Sequence, residues 1–179
     1  CPMHGGDKLG EFPADIKATV QYGKNLQALV VALNTVGAVS VNRTHEILSS
    51  VFNIPLATGT IKNMVTRFSN SLSDTYERIR MQMILLGLIH CDETGTRVDG
   101  KTWWVHNASN PDFTFLSIDT KRGWLGMEAA GILPNYHGII VHDCWVSYWK
   151  YPDCIHAICC AHLLRELNGV EENHPEQTW

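Results

Sequence analysis

The chain has 179 residues, of which 45% are hydrophobic and 18% charged, with a formal net charge of -4. That composition supports a packed core and excludes a disordered tail. The mild acidity argues against a surface that binds nucleic acid everywhere, while allowing a local basic face.

No apolar run reaches the length of a bilayer span, and no basic-plus-apolar leader is read at the start. The six cysteines stand at 1, 91, 144, 154, 159 and 160. Adjacent Cys159 and Cys160 make a poor disulfide framework, so the thiols are expected to be reduced and the compartment cytoplasmic. The start at Cys1 and the polar stretch Glu171-Glu172-Asn173-His174-Pro175 read as edges of a fragment of a longer protein.

In chain order, Gly23 to Leu33 places Leu26, Leu29, Val30 and Leu33 on one helical face, closed by Gly37. Asn42 to Phe52 predicts a second short helix, broken at Asn53-Ile54-Pro55. A long third helix follows, with Thr58 or Thr60 as N-cap and apolar positions from Ile61 to Met83. Beyond Leu86, short apolar runs alternate with turns. Leu88 to Cys91 predicts a strand ending at Asp92, and Asp99-Gly100 the turn to a second strand, Thr102 to Ala108. Phe113 to Ile118 predicts a third strand, joined through Asn110-Pro111-Asp112. Trp124 to Ala130 reads as a short helix, Gly138 to His142 as a buried strand, Ile155 to Cys159 as a fifth strand and Ala161 to Glu172 as a helix. The expected class is α+β, a helical N-terminal region followed by a partial RNase H-like mixed-sheet catalytic core. Order alone makes that fold an analogy. The expected divisions are residues 1–22 as a zinc-module remnant and linker, 23–86 as the helical region and 87–179 as a C-terminally truncated core.

Two aspartates carry the chemistry. Asp92 follows Leu-Ile-His-Cys and Asp143 follows Ile-Ile-Val-His. A carboxylate at the end of an apolar strand is costly to bury unless a cation compensates it, and strand ends in open sheets are where ligands bind. Two carboxylates from adjacent strands could share Mg²⁺ on a phosphodiester. Spacing alone leaves open that each Asp merely starts a turn.

Cys91-Asp92-Glu93-Thr94-Gly95-Thr96-Arg97-Val98-Asp99-Gly100-Lys101 resembles the first-aspartate segment of transposases of the insertion-sequence-66 family. Lys121-Arg122-Gly123, Gly131-Ile132-Leu133-Pro134, Val141-His142-Asp143-Cys144-Trp145 and Cys159-Cys160-Ala161-His162-Leu163-Leu164-Arg165-Glu166-Leu167 follow in that family's order. So do Gly10-Glu11-Phe12-Pro13 and Val20-Gln21-Tyr22-Gly23 upstream. The resemblance implies a DDE recombinase that performs DNA strand cleavage and strand transfer. Asp92 and Asp143 would be its first two catalytic acids and the ligands of Mg²⁺ or Mn²⁺. It implies DNA as partner (transposon ends and target), homo-oligomerisation when full length, no membrane, and a bacterial, nucleoid-associated setting. The family's third acid, a Glu beyond an inserted segment, has no match here. Glu166 belongs to the helix before that insertion and is not nominated, so the chain reads as catalytically incomplete.

Cys159 and His162 have zinc-ligand spacing but form half a site, so a structural role is preferred and zinc is the alternative. Cys1 and His4 resemble the second half of the family's zinc module, with His4 where the pattern has Cys. Zn²⁺ is therefore expected only in the full-length protein, and a frayed terminus here. Helices two and three read as helix-turn-helix-like, with Lys62, Asn63 and Arg67 able to reach DNA, or else as a bracing bundle with a solvated face. Trp145 and Trp149, one turn apart, read as core or as a stacking platform for a DNA end. Two rivals remain, an inactive relic or binding module, and a zinc hydrolase using His90, His142, Cys159 and His162.

Overall fold

The computed structural model describes residues 13–14, 21–174 and 176. Cys1, His4 and most of the expected linker lie outside the described residues. The chain divides after Leu72 into two compact units, Cys1–Leu72 and Ser73–Trp179.

The first unit holds α1 (Lys24–Asn34), α2 (Val41–Phe52) and α3 (Thr58–Ser71). Ser40 caps α2, its side chain accepting from Arg43 N at 3.3 Å. Asn53, at φ 52°, ends that helix in the left-handed conformation. Ala57, rather than Thr58 or Thr60, stands at the N-cap of α3 and offers no side-chain bond. Val30, Leu48, Leu56, Ile61 and Met64 form the core. Each such side chain taken fully from water contributes about 1.5–3 kcal/mol. Thr44 is fully buried within this unit, and Asn34 Nδ2 donates to its hydroxyl at 2.9 Å.

The expected long helix is two helices. It stops at Leu72 (φ -96°, ψ 0°), and α4 (Ser73–Leu85) begins a new one. Continuous apolar periodicity concealed the break. The stretch Ser69-Asn70-Ser71-Leu72-Ser73 is rich in weak helix formers, and Ser71 Oγ bonds back to the Phe68 carbonyl at 2.7 Å. Met64 serves the first core and Met83 the second.

The second unit is built on five strands in the order β3-β2-β1-β4-β5. These are β1 (Leu88–Val98), β2 (Lys101–Ser109), β3 (Thr114–Asp119), β4 (Ile139–His142) and β5 (Ile155–Ile158). The first three pair antiparallel, whereas β4 and β5 run parallel to β1. With α5 (Trp124–Ala130) and α6 (Cys160–Asn173) this makes six α-helices and a five-stranded mixed sheet among the described residues, the α and β composition of a partial RNase H-like core. Asp99 (φ 48°) and Gly100 (φ 74°) form the tight turn between β1 and β2, where only a left-handed pair matches the strand twist.

Strand alternation divides the sheet into two faces. Ile89, Cys91, Ala108, Phe115 and Ile140 pack with Met83 of α4 and Met127 of α5 in one core. The other face exposes Leu88, Leu116, Ile118 and Ile155. The last helix, α6, has no buried residue, and Leu163, Leu164, Leu167 and Val170 are all exposed. Among the described residues, no helix is long and apolar enough to cross a membrane.

Candidate active site

Asp92 does not end its strand. β1 runs six residues further and stays paired to β2 as far as Val98↔Lys101. The expectation of a strand end assumed a buried carboxylate. The side chain is exposed instead, on the open face with Leu88 and His90, so no desolvation cost interrupts the strand. What ends near Asp92 is the pairing with β4, whose last partners are His90↔Val141.

Two residues beyond that pair lie Asp92 on one strand and Asp143 on the other. They start from equivalent positions on neighbouring parallel strands. Asp143 follows β4 directly, as expected, and its Oδ1 accepts from Trp145 N at 3.0 Å, which fixes the turn. Asp92 Oδ1 accepts from Glu93 N at 2.9 Å. Neither carboxylate enters an ion pair among the described residues. Asn107 stands directly across from Asp92 on β2, with a buried Oδ1 that has no hydrogen-bond partner.

Glu93, inside the motif that follows Cys91, carries no expected role in the sequence, and the structure makes it prominent. It falls on the covered face with Ile89 and Cys91, its side chain 1% exposed. Tyr148 Oη donates to its Oε1. Burial raises the Glu93 carboxyl to about 7; the Tyr148 bond lowers it, the Asp143 charge raises it, and Arg122 lowers it. Directly across β2 and β3 stand His106 and Ser117, which pair in register with Glu93 and with each other. Glu93 Oε2, His106 Nδ1 and Ser117 Oγ are buried without hydrogen-bond partners, and all three residues line one cavity of about 30 Å³ with Cys91 and Tyr148.

Arg122 reaches this row from the loop between β3 and α5. Its guanidinium carbon lies 5.0 Å from the Trp104 ring centroid and 4.1 Å from that of Trp145. The loop is pinned: Lys121 N donates to Asp119 Oδ1 at 2.7 Å, and His106 Nε2 donates to the Lys121 carbonyl at 3.0 Å. A Cβ on Gly126 would lie 2.2 Å from that carbonyl oxygen and 2.4 Å from His106 Nε2, so only glycine lets α5 approach this closely. Trp145 therefore stacks on Arg122. Trp149 stacks on His156 at 4.5 Å instead of presenting a paired platform with Trp145.

His142 is fully buried, stacked on Tyr148 at 4.4 Å. Its Nδ1 contacts the Asp143 carbonyl and its Nε2 lies 2.9 Å from His156 Nδ1. Burial pushes its pKa below the ordinary imidazole value. His142 follows the parity of Ile140 on the covered face, whereas His90 lies on the open face. The set His90, His142, Cys159 and His162 is thus not brought together. Among the described residues, no three His, Cys, Asp or Glu side chains gather into a metal-holding group. Cys159 and His162 do meet at the start of α6, where the His162 contact lowers the Cys159 thiol pKa. In the first unit, Lys62, Asn63 and Arg67 are exposed on α3, with Arg67 Nε bonded back to the Asn63 carbonyl at 3.4 Å.

The donor set fits a hard, largely hydrated cation. Asp92 and Asp143 offer carboxylate oxygens free of ion pairs, and Mg²⁺ or Mn²⁺ bound by two carboxylates keeps several waters. A comparison with curated proteins finds no match. The model of the family described as Transposase IS66 family, designated a DDE transposase, matches residues 19–179. That span includes every element of both units described above, and the chain belongs to the IS66 family of transposases.

Proposed function

We propose that Asp92 and Asp143 are the first two acids of a DDE site and that they act together in Mg²⁺- or Mn²⁺-dependent DNA strand cleavage and strand transfer. The observation that carries this reading is the register: continued two residues past His90↔Val141, neighbouring parallel strands bring up one carboxylate each. The family supports the transposase role and DNA as partner. A divalent cation at this pair would align and polarise the attacking and leaving oxygens of a phosphodiester. Asp92 keeps its carboxylate on the open face, where a DNA strand has access. Asp143 is held by the Trp145 amide and by the contact of its carbonyl with His142.

Lys62, Asn63 and Arg67 of α3 are a second DNA contact in this reading, through phosphates and base edges. The setting is the bacterial cytoplasm at the nucleoid, and the active species a homo-oligomer. Cys159 and His162 serve a structural role or hold half a zinc site.

In this reading no residue of the sequence takes the part of the family's third acid. The chain is therefore expected to bind Mn²⁺ weakly and not to join pre-cut DNA ends by itself. A strand-transfer assay with such ends tests this. Robust joining that survives Asp92→Ala places the chemistry elsewhere.

A further inference from the structure

Arg122 is placed as a receptor rather than as an ordinary counter-ion. A structural arginine beside a buried carboxylate donates hydrogen bonds to it, usually two in parallel. Here Arg122 Nε lies 3.8 Å from Glu93 Oε2, beyond hydrogen-bonding distance, and Tyr148 supplies the bond that Glu93 receives. Among the described residues the guanidinium has no protein acceptor: its Nε is buried without a partner, and the side chain as a whole is 41% exposed. Its position is nevertheless defined by the rings of Trp104 and Trp145 and by the pinned loop beneath it. A planar cation fixed against aromatic faces loses little freedom on binding, and its fork of N–H groups matches phosphate oxygens.

The clamp is also tied to the acids. The Trp145 amide donates to Asp143 Oδ1, so one wall of the clamp and one carboxylate belong to the same turn. Glu93, which faces the guanidinium from the covered face, is close enough to Asp143 to feel its charge. A DNA strand approaching the carboxylates of Asp92 and Asp143 meets repulsion from its own phosphates, and a nearby cation offsets it.

We propose that Arg122 is a phosphate receptor: its guanidinium, held between Trp104 and Trp145, takes a backbone phosphate of the DNA strand lying at Asp92 and Asp143. The strand's location rests on the function proposed above, whereas phosphate binding by Arg122 does not. The test therefore reads DNA binding without metal or catalysis. Fluorescence anisotropy of a labelled duplex in EDTA, across a salt series, compares the wild type with Arg122→Ala, Arg122→Lys and the double variant Glu93→Gln/Arg122→Ala. Arg122→Ala is expected to weaken binding about tenfold and to reduce the salt slope by about 0.9, the value for one phosphate contact. Arg122→Lys is expected to keep the slope and lose affinity, because a point charge replaces the planar fork.

The double variant separates structure from binding. Removing both charges should recover the melting temperature lost in Arg122→Ala but not the DNA affinity. Wild-type affinity in Arg122→Ala or in Arg122→Lys, or recovery of affinity in the double variant, overturns the proposal. Inorganic phosphate at constant ionic strength forms a further arm. It should displace the duplex only weakly, and preferential binding of free phosphate would overturn the assignment to DNA. If Asp92→Asn/Asp143→Asn leaves metal binding intact while the Arg122 effects hold, the catalytic reading fails and the receptor stands.

Discussion

Tyr148 donates its hydroxyl hydrogen to the carboxyl of Glu93, on the covered face of the sheet, one residue along β1 from the exposed Asp92. Adjacent acids on one strand thus occupy opposite environments, one buried and hydrogen-bonded, the other open to solvent.

The buried acid makes stability depend on pH. Burial lifts Glu93 from 4.5 to about 7. Between those values the native state keeps a proton that the unfolded chain has released, so stability falls as pH rises from 4.5 to 7 and levels off above. The shift corresponds to roughly 3 kcal/mol. Glu93→Gln should flatten this slope and melt higher than wild type at pH 8 in EDTA. Tyr148→Phe, which removes a bond that lowers the pKa, should extend the window upward. Parallel slopes in wild type and Glu93→Gln from pH 4.5 to 7 would show that Glu93 is not the titrating group.

The cysteines should react in a set order. Cys91 and Cys154 are buried and their pKa values raised, that of Cys154 to about 11, so both should resist alkylation. Contact with His162 lowers the Cys159 pKa, which favours its reactive thiolate. Peptide mapping after brief iodoacetamide treatment at pH 7 should find Cys159 modified faster than the exposed Cys144 and Cys160, and His162→Ala should remove that advantage. Protection of Cys159 by added Zn²⁺ would favour the zinc half-site over the structural role. Modification of Cys91 ahead of Cys159 would contradict the burial described here.

The apolar face of α6 should make the chain self-associate. Leu164 and Leu167 are 60% and 56% exposed, beside Leu163 and Val170 on the same helix. Contiguous exposed apolar surface of this kind promotes association. Sedimentation at increasing concentration should show it, and Leu164→Glu/Leu167→Glu should shift the chain toward monomer without lowering its melting temperature. A concentration-independent wild-type monomer would count against this.

Much of this was legible in the residues. The five strands in chain sequence and the Asp99-Gly100 turn followed from alternation and turn chemistry, and Asp143 fell directly after its strand. Three features did not follow. The break at Leu72 is hidden because the apolar period continues across it while serving two cores. β1 outruns Cys91 because Asp92 needs no burial, and single-strand alternation does not show which neighbour ends first. The amphipathic pattern of α6 gives an apolar face and not what that face meets. The position of Glu93 was legible and missed: it shares the parity of Ile89 and Cys91, which marks it as a buried acid. The approach of Arg122 depends on a loop and two distant tryptophans, which no local pattern reveals.

The central claim is that Asp92 and Asp143 form one metal-binding pair. Mn²⁺ titration of the intact chain, followed by electron paramagnetic resonance, tests it most directly. The wild type should bind Mn²⁺ weakly at one locus, and Asp92→Asn and Asp143→Asn should each weaken that binding by about tenfold or more. The two losses should be non-additive in the double variant, as for ligands of one ion. Mn²⁺ affinity unchanged by either substitution would contradict the account.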